Sequence, residues 1–393
     1  MTTHQTSTQV RERTICSQPL SLSLSVSLSV SLCVSLSLCL SVSVTLSRCL
    51  FSSLCLTLSN SHSLTLTLSL SLFLTNPNTL TKLFRSICAA ISVFAPSPNQ
   101  AIYGRPQNKT SWGGNMVHYQ GQWHLLVTEM RSGGLINWTT DSQVVHAVAD
   151  TIEGPYTREA VALPVPAHNP MVINTTDATG QPLFVLFHIF SGGSALPGAV
   201  VHYSASPTGP WQAAELDVPS CNNPAPMLHA NGTWFLACNE GTWELYRSQG
   251  NFTGPYTKVA ALPKNPPLTG VWEDPFVWID ARGNWHMIGH AYNEVLMENC
   301  NKSLASGHYF SPDGLVWHAA TAEPYHTAVT FTDGTTHTFA SLERPKIIVN
   351  GQGQEAYIVF GASPDEHCNN TCTRCKTTPG YDHTYTLIRP LVI

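Results

Sequence analysis

The strongest constraint on this chain is that it repeats itself. A polar residue and a Pro, then an apolar stretch, a turn and an aromatic-rich stretch recur. The copies are HNPMVINTTDATGQPLFVLFH from His168, NNPAPMLHANGTWFLAC from Asn222, EDPFVWIDARGNWHMIGH from Glu273 and ERPKIIVNGQGQEAYIVFG from Glu343. A version without the Pro, GNMVHYQGQWHLLVTE, starts at Gly114. Each copy holds two strand-like runs joined by a turn signal such as Gln120-Gly121, Asn231-Gly232 or Gly283-Asn284, the mark of an antiparallel strand pair. A second motif follows in phase as HAVADTIEGPYTREAVAL, HYSASPTGPWQAAEL, LYRSQGNFTGPYTKVAAL and GHYFSPDGLVWHAAT. It adds two strands around a Gly-containing turn, with Tyr156, Trp211, Tyr256 and Trp317 after that turn. Each period of roughly 50 to 70 residues therefore encodes one four-stranded unit. DHTYTLIRPLVI at the C-terminus supplies a closing strand for the last unit.

No stretch shows sustained helical periodicity. The expected fold is all-β, a five-bladed β-propeller of four-stranded antiparallel blades around a central channel. The first strand of each blade lines the channel. A Pro at its start is tolerated because the missing N–H lies outside the ladder. Residues one and two places before that Pro are therefore expected at the channel mouth.

Composition matters where the chain changes character. Ser and Leu make up 35 of the 52 residues from Ser21 to Leu72, and Arg48 is the only acidic or basic residue among them. The strict alternation is formally a strand pattern, but about 3–10 residues is the usual strand length. A repeating TC dinucleotide read in triplets gives Ser-Leu without end, so the tract reads as low complexity. LFRSICAAISVFAPSP, from Leu83 to Pro98, has the basic residue, short apolar run and small residues of a secretory signal peptide. Residues 1–98 are read as a Ser/Leu-rich, disordered leader with an embedded signal, and 99–393 as the propeller. From residue 101 onward, 14 Lys/Arg stand against 23 Asp/Glu, a net charge of 14 − 23 = −9. That balance argues against nucleic acid or an anionic membrane as partner. No run of eighteen apolar residues supports a stable membrane span.

Seven N-x-Ser/Thr sequons, at Asn108, Asn137, Asn174, Asn231, Asn251, Asn301 and Asn369, point to a secreted glycoprotein. Six Cys remain in this part: Cys221, Cys238, Cys300, Cys368, Cys372 and Cys375. The last three, beside His367, could be read as a zinc knuckle, but no second CxxC pair follows and the sequons favour disulfides. Cys221 and Cys238 flank one strand hairpin and are the expected first pair. At least two of the other four are expected to be paired as well.

At the channel mouth, Glu273 and Asp274 precede Pro275, and Glu343 and Arg344 precede Pro345. His168 and Asn169 precede Pro170, Asn223 precedes Pro224, and Asn115 stands in the Pro-free unit, whose strand pair ends near Glu129. Such polar groups in a concave, aromatic-walled mouth suit a polyhydroxylated ligand, with Trp272 as a sugar platform. Paired carboxylates are also what glycosidic cleavage requires, one protonating the leaving oxygen and the other acting as nucleophile or base. On the blade rhythm, the GPY/GPW turns and the E-x-P sequences, residues 101–393 resemble the five-bladed superfamily of arabinanases and xylosidases of glycoside hydrolase family 43, the invertases and the levansucrases. The resemblance implies that Glu273 in WEDPFVW is the general acid, with Asp274 or Glu343 as its partner. Its departures are specific. Where the superfamily carries an Asp in each of the first two blades, this chain has Gly114-Asn115 and Asn169. Where the acid usually lies, in the third blade, it has Asn223.

The implied protein is a secreted glycosidase of furanosidase-like type. The alternative is a catalytically silent carbohydrate-binding propeller, and a protein-interaction propeller with an apolar top face is a third reading. Arg344, Asn115, Asn169, Asn223, Glu129, His168, His290 and Trp272 are the expected substrate contacts. Glu273 pairing with Arg344 to hold two blades together is the bland alternative for those residues. No cofactor is expected, and a structural calcium in the channel is left open.

Overall fold

The alternating strand patterns fold as the repeat requires. The structure, a computed structural model, describes residues 93–132, 134–190, 198–239, 243–262, 271–292, 305–320, 323–350, 354–364 and 384–392. These belong to one unit, Ser86–Ile393. The Ser/Leu tract, Cys300, Cys368, Cys372, Cys375 and the side chain of Trp272 lie outside the described residues. Helix is confined, among the described residues, to single turns at Arg105–Gln107 and Leu135–Asp141.

Two short strands come first, β1 (Val93–Phe94) and β2 (Ile102–Tyr103). Blade 1 is β3 (Ser111–Tyr119), β4 (Gln122–Met130), β5 (Ser142–Ala149) and β6 (Thr157–Leu163). Blade 2 is β7 (His168–Thr176), β8 (Pro182–Phe190), β9 (Gly198–Ser204) and β10 (Gln212–Ala214). Blade 3 is β11 (Ala225–Leu228), β12 (Trp234–Asn239), β13 (Trp243–Ser248) and β14 (Thr257–Ala261). Blade 4 is β15 (Val271–Ile279), β16 (Trp285–Tyr292), β17 (Ala305–Ser311) and β18 (His318–Ala319). A hairpin of β19 (Ala328–Thr330) and β20 (Thr336–Thr338) precedes blade 5, made of β21 (Ser341–Val349), β22 (Glu355–Ser363) and β23 (Tyr385–Val392).

Blade 5 takes its outer edge from the other end of the chain. Val93 and Phe94 pair with Val392 and Leu391, and Ile102 and Tyr103 pair with Leu387 and Thr386 along the same strand. Ser97 is buried and bridges to the β19–β20 hairpin, its N–H donating to Thr330 O at 2.9 Å. Val93, Phe94 and Ser97, which precede the expected boundary at residue 98, thus pair with strands of the propeller. These two- and three-residue pairings are too short to leave a periodic signal. The first strands pack in sequence, β3 on β7, β7 on β11, β11 on β15, β15 on β21, and β21 back on β3. The ring is thus closed, and no first strand is left as an open edge.

The second motif's turns behave as their residues demand. Gly154, Gly209 and Gly254 have φ of +84, +87 and +105°, a backbone region that costs other residues dearly. Tyr156, Tyr256 and Trp317, which follow such turns, are buried, and Trp211 is half-buried. Cys221 and Cys238 form the expected disulfide. Toward the far end of the channel, apolar side chains such as Met116, Met171, Met227, Phe276 and Ile347 line a cavity of about 690 Å³.

Candidate functional site

Each first strand opens with the same backbone device. The ladder skips two residues between Trp112 and Asn115, between His168 and Met171, between Glu273 and Phe276 and between Glu343 and Lys346. The first skipped residue is left-handed in each: Gly113 (φ 60°), Asn169 (53°), Asp274 (56°) and Arg344 (58°), with Asn223 (49°) at the matching place in blade 3. Bulges of this kind re-aim a side chain, and the Pro that follows needs no partner for its absent N–H. The sequence therefore places five residues at equivalent points around the mouth: Gly113, Asn169, Asn223, Asp274 and Arg344.

This register corrects the reading of the Pro-free unit. Its ring residue is Gly113, not Gly114 or Asn115. Asn115 lies one step further along the strand, buried, and its Oδ1 accepts a hydrogen bond from Val172 N at 3.0 Å, tying blade 1 to blade 2. Glu129 is also redirected. It is 1% exposed and accepts from Tyr103 Oη (3.1 Å), Gln143 Nε2 (3.2 Å) and Arg158 Nη2 (3.1 Å), so it locks β2, β4, β5 and β6 together. The neighbouring Thr128 points the other way, as strand alternation requires, and accepts from Asn169 N at 2.9 Å.

Four ring residues are joined by side chains that reach across the mouth. Arg344 of blade 5 pairs with Asp274 of blade 4 and donates to Asn223 of blade 3. Its backbone N–H also donates to Asp274 Oδ2 at 3.3 Å. Asn169 Nδ2 lies 3.4 Å from Asn223 Oδ1. Lys346, two residues beyond Arg344, crosses under blade 1 to donate to Asn169 Oδ1 at 3.0 Å. The predicted ion pair between blades 4 and 5 thus exists, but it is made by Asp274. Asp274 and Arg344 are each nine-tenths or more buried, a geometry in which both charges are desolvated and neither tolerates losing the other.

Two steps before each Pro stand Glu273 and Glu343, with His168 at the same place in blade 2. Glu273 faces His290 across the β15–β16 ladder, and the His290 Nδ1 atom lies 3.9 Å from Glu343 Oε2. Donor atoms of Glu273, Asp274 and His290 all lie within 4.8 Å of one another. One imidazole is thus flanked by carboxylates from two blades. Behind them sits Tyr325, fully buried, whose hydroxyl is pushed up by burial and then by the negative charges of Asp274 and Glu343. The Glu273, Asp274 and His290 group could hold a divalent cation. Calcium, however, asks for six to eight oxygens, and the Arg344 guanidinium already faces Asp274. That fit is poor, and no chemistry is assigned to a metal.

One residue here, Lys346, was not legible in the sequence. Lys346 is 2% exposed, and burial followed by the Arg344 charge lowers its ammonium to about 7. In KIIV it reads as one polar residue in an ordinary strand. His168 is 2% exposed against Trp138 (ring centroids 4.9 Å), and neither ring nitrogen has a hydrogen-bond partner among the described residues. Burial, then Arg344 and Lys346, hold it neutral, far below the usual imidazole range.

The fold is shared with solved glycoside hydrolases. A thermostable family-43 glycoside hydrolase matches with a TM-score of 0.52 at 13% identity, over 77% of this chain and 93% of that one. The catalytic domain of a Coprinopsis cinerea family-62 α-L-arabinofuranosidase matches with a TM-score of 0.51 at 13% identity, over 76% of this chain and 94% of that one. The likeness is one of fold, the five-bladed propeller. No known family's sequence model matches the chain, and no curated protein matches it in sequence.

Proposed function

We propose that this chain is a secreted glycoside hydrolase that cleaves O-glycosyl bonds at the channel mouth, with Glu273 as general acid and Glu343 as the second carboxylate. The observation that carries this reading is the placement of Glu273 and Glu343 at equivalent bulge positions of adjacent blades, with His290 between them. Two carboxylates flanking one bond are the minimum such chemistry needs. The fold shared with family-43 and family-62 hydrolases supports it. Asp274, the sequence-based candidate for partner, is engaged by Arg344 and acts in this reading as a positioning group. A carbohydrate is the implied ligand. Secretion is supported by the Cys221–Cys238 disulfide and by exposure of all five sequon asparagines that are described, Asn108, Asn137, Asn174, Asn231 and Asn251.

A second reading, a sugar-binding propeller without turnover, is favoured by one observation. Gly113, Asn169, Asn223 and Arg344 leave four of the five ring positions without a carboxylate. A glycan hydrolysis panel on the intact chain separates the two. Glu273→Gln should cut turnover by about a hundredfold or more, and far less on a substrate whose leaving group needs no proton. Hydrolysis unchanged by this substitution moves the acid to Glu343, and no hydrolysis of any glycan by the unaltered protein overturns the enzymatic reading.

A further inference from the structure

Below the ring of charged and amide side chains the channel changes character. Lys346, Asn169, Asn223, Asp274 and Arg344 are tied to one another across the mouth, and none of them lines the cavity at the far end. That cavity holds about 690 Å³ and is walled by the first strands of all five blades. Its inner wall is buried, with Met116, Met171, Met227 and Phe276 among its side chains. At its other end His118, Asn174 and Val349 are exposed and Asn350 is half-buried. The cavity therefore opens away from the mouth. No Asp, Glu, Lys or Arg lines it, and its Asn and His side chains, Asn115 apart, stand at the open end. The side-chain carbonyl of Asn115 already accepts from Val172 N.

Size and lining narrow what fits. In blades 1, 2 and 5 the wall runs over residues 115–118, 171–174 and 347–350, a depth of roughly 10 Å at the usual rise of a strand. At that depth the volume corresponds to a width of roughly 9 Å, more than one alkyl chain fills and enough for a compound of two or three rings. Aliphatic walls offer water few partners, so apolar matter is favoured there. Three of the chain's seven Met stand in the wall, unbranched side chains that adapt to irregular apolar shapes. Phe276 and Trp278, with ring centroids 6.0 Å apart, add aromatic surface from blade 4. We propose that the far end of the channel binds one neutral, apolar compound of two or three rings, which enters from the side opposite the mouth and leaves any hydroxyl at the His118 and Asn350 rim. A charged ligand is disfavoured because nothing in the wall would offset its desolvation. This site is separate from the glycan site and does not depend on that reading.

The test titrates the intact protein with N-phenyl-1-naphthylamine, a neutral ring compound that fluoresces when desolvated. It should saturate at one molecule per chain and bind about tenfold or more tightly than 8-anilinonaphthalene-1-sulfonate, which carries the same rings and a fixed negative charge. Methyl-labelled methionine spectra of the unaltered protein locate the probe. The signals of Met116, Met171 and Met227 should shift, and those of Met130 and Met287, buried outside the cavity, should not. Met227→Trp, which fills part of the cavity, should weaken binding about tenfold or more. Leu315→Ser with Val316→Ser, which strips the most exposed apolar pair among the described residues, should leave it unchanged. The titration and the spectra decide the question even if Met227→Trp fails to fold. Binding that does not saturate, equal affinity for the sulfonate, or unmoved signals of the three wall methionines overturn the inference. So does affinity lost with Leu315 and Val316, which would place the probe on the outer surface. Glycan hydrolysis enters none of these readouts, so the failure of either reading leaves the other standing.

Discussion

Two arcs of one ring carry opposite chemistry on the same backbone. In blades 4 and 5 the bulge places Glu273, Asp274, Glu343 and Arg344 at the mouth; in blades 1 to 3 it places Gly113, Asn169 and Asn223. The left-handed turn is common to both, with φ between 49 and 60° at all five positions. The difference lies wholly in the side chains. A bulge followed by Pro is therefore a neutral frame, and chemistry is set by which residue occupies it. The quiet arc is not empty of purpose. Its asparagines receive the two long cations of blade 5, Arg344 at Asn223 and Lys346 at Asn169. Uncharged amides can accept from a cation without neutralising it.

The contrast can be broken most forcefully at the pair that spans the charged arc. Asp274→Ala or Arg344→Met alone should destabilise by about 3–5 kcal/mol, because each leaves a buried, unpaired charge. The double variant should recover much of that loss. Chemical denaturation of the three proteins checks it, and a double variant as unstable as the sum of the singles would mean the two residues do not act as a pair. By contrast, Arg131→Ala, which removes the exposed partner of Asp141, should cost at most about 1 kcal/mol.

Acid should act on the blade walls. His146 is lowered to about 4, His188 to about 4 and His308 to about 3, each first by burial. The unfolded chain binds these protons near pH 6.5, whereas the folded chain resists them. Stability should therefore be level above about pH 7 and fall as pH drops from about 6.5 toward 4. Urea midpoints at pH 7, 6 and 5 measure this directly. A midpoint unchanged over that range would show that these rings open to water. His146→Phe should flatten the slope in part.

The smallest effect is expected at the seam that closes blade 5. Removal of residues 1–92 should leave the melting temperature unchanged, whereas removal of 1–98 also deletes Val93, Phe94 and Ser97 and should lower it by about 2–4 °C. Arg389 lies over the Phe94 ring at 4.0 Å, so Phe94→Ala should reproduce part of that drop. Identical melting of the two truncations would show that the pairings of Val93, Phe94 and Ser97 add nothing to stability.

Much of this architecture is legible in the chain itself. Apolar alternation, turn dipeptides and recurring Pro give five antiparallel units, and the hairpin between Cys221 and Cys238 gives their bridge. Glu273 and Glu343 can be named because E-x-P fixes their distance from a strand start. The Pro-free unit shows where such reading stops. Without a Pro to mark the bulge, Asn115 and Gly113 are interchangeable in sequence, and only the ladder register tells a ring residue from an inter-blade tie. Glu129 fails for a related reason. A polar residue at a strand end reads as mouth-facing, and its three partners come from β2, β5 and β6, which the local pattern around it does not connect.

The sequence alone determined what is periodic and local: strand, turn, blade count and the residues placed before each Pro. Such signals survive because each rests on the steric preferences of neighbouring residues. Tertiary structure decided everything that depends on distance across the ring. Lys346 reaches Asn169 over a separation of 177 residues, Arg344 reaches Asn223 over 121, and the N-terminal strand closes against Val392. No local preference encodes those meetings. They arise because closing five twisted sheets into a circle brings five strand starts to one mouth, where a long side chain from one blade lies within hydrogen-bond reach of the others.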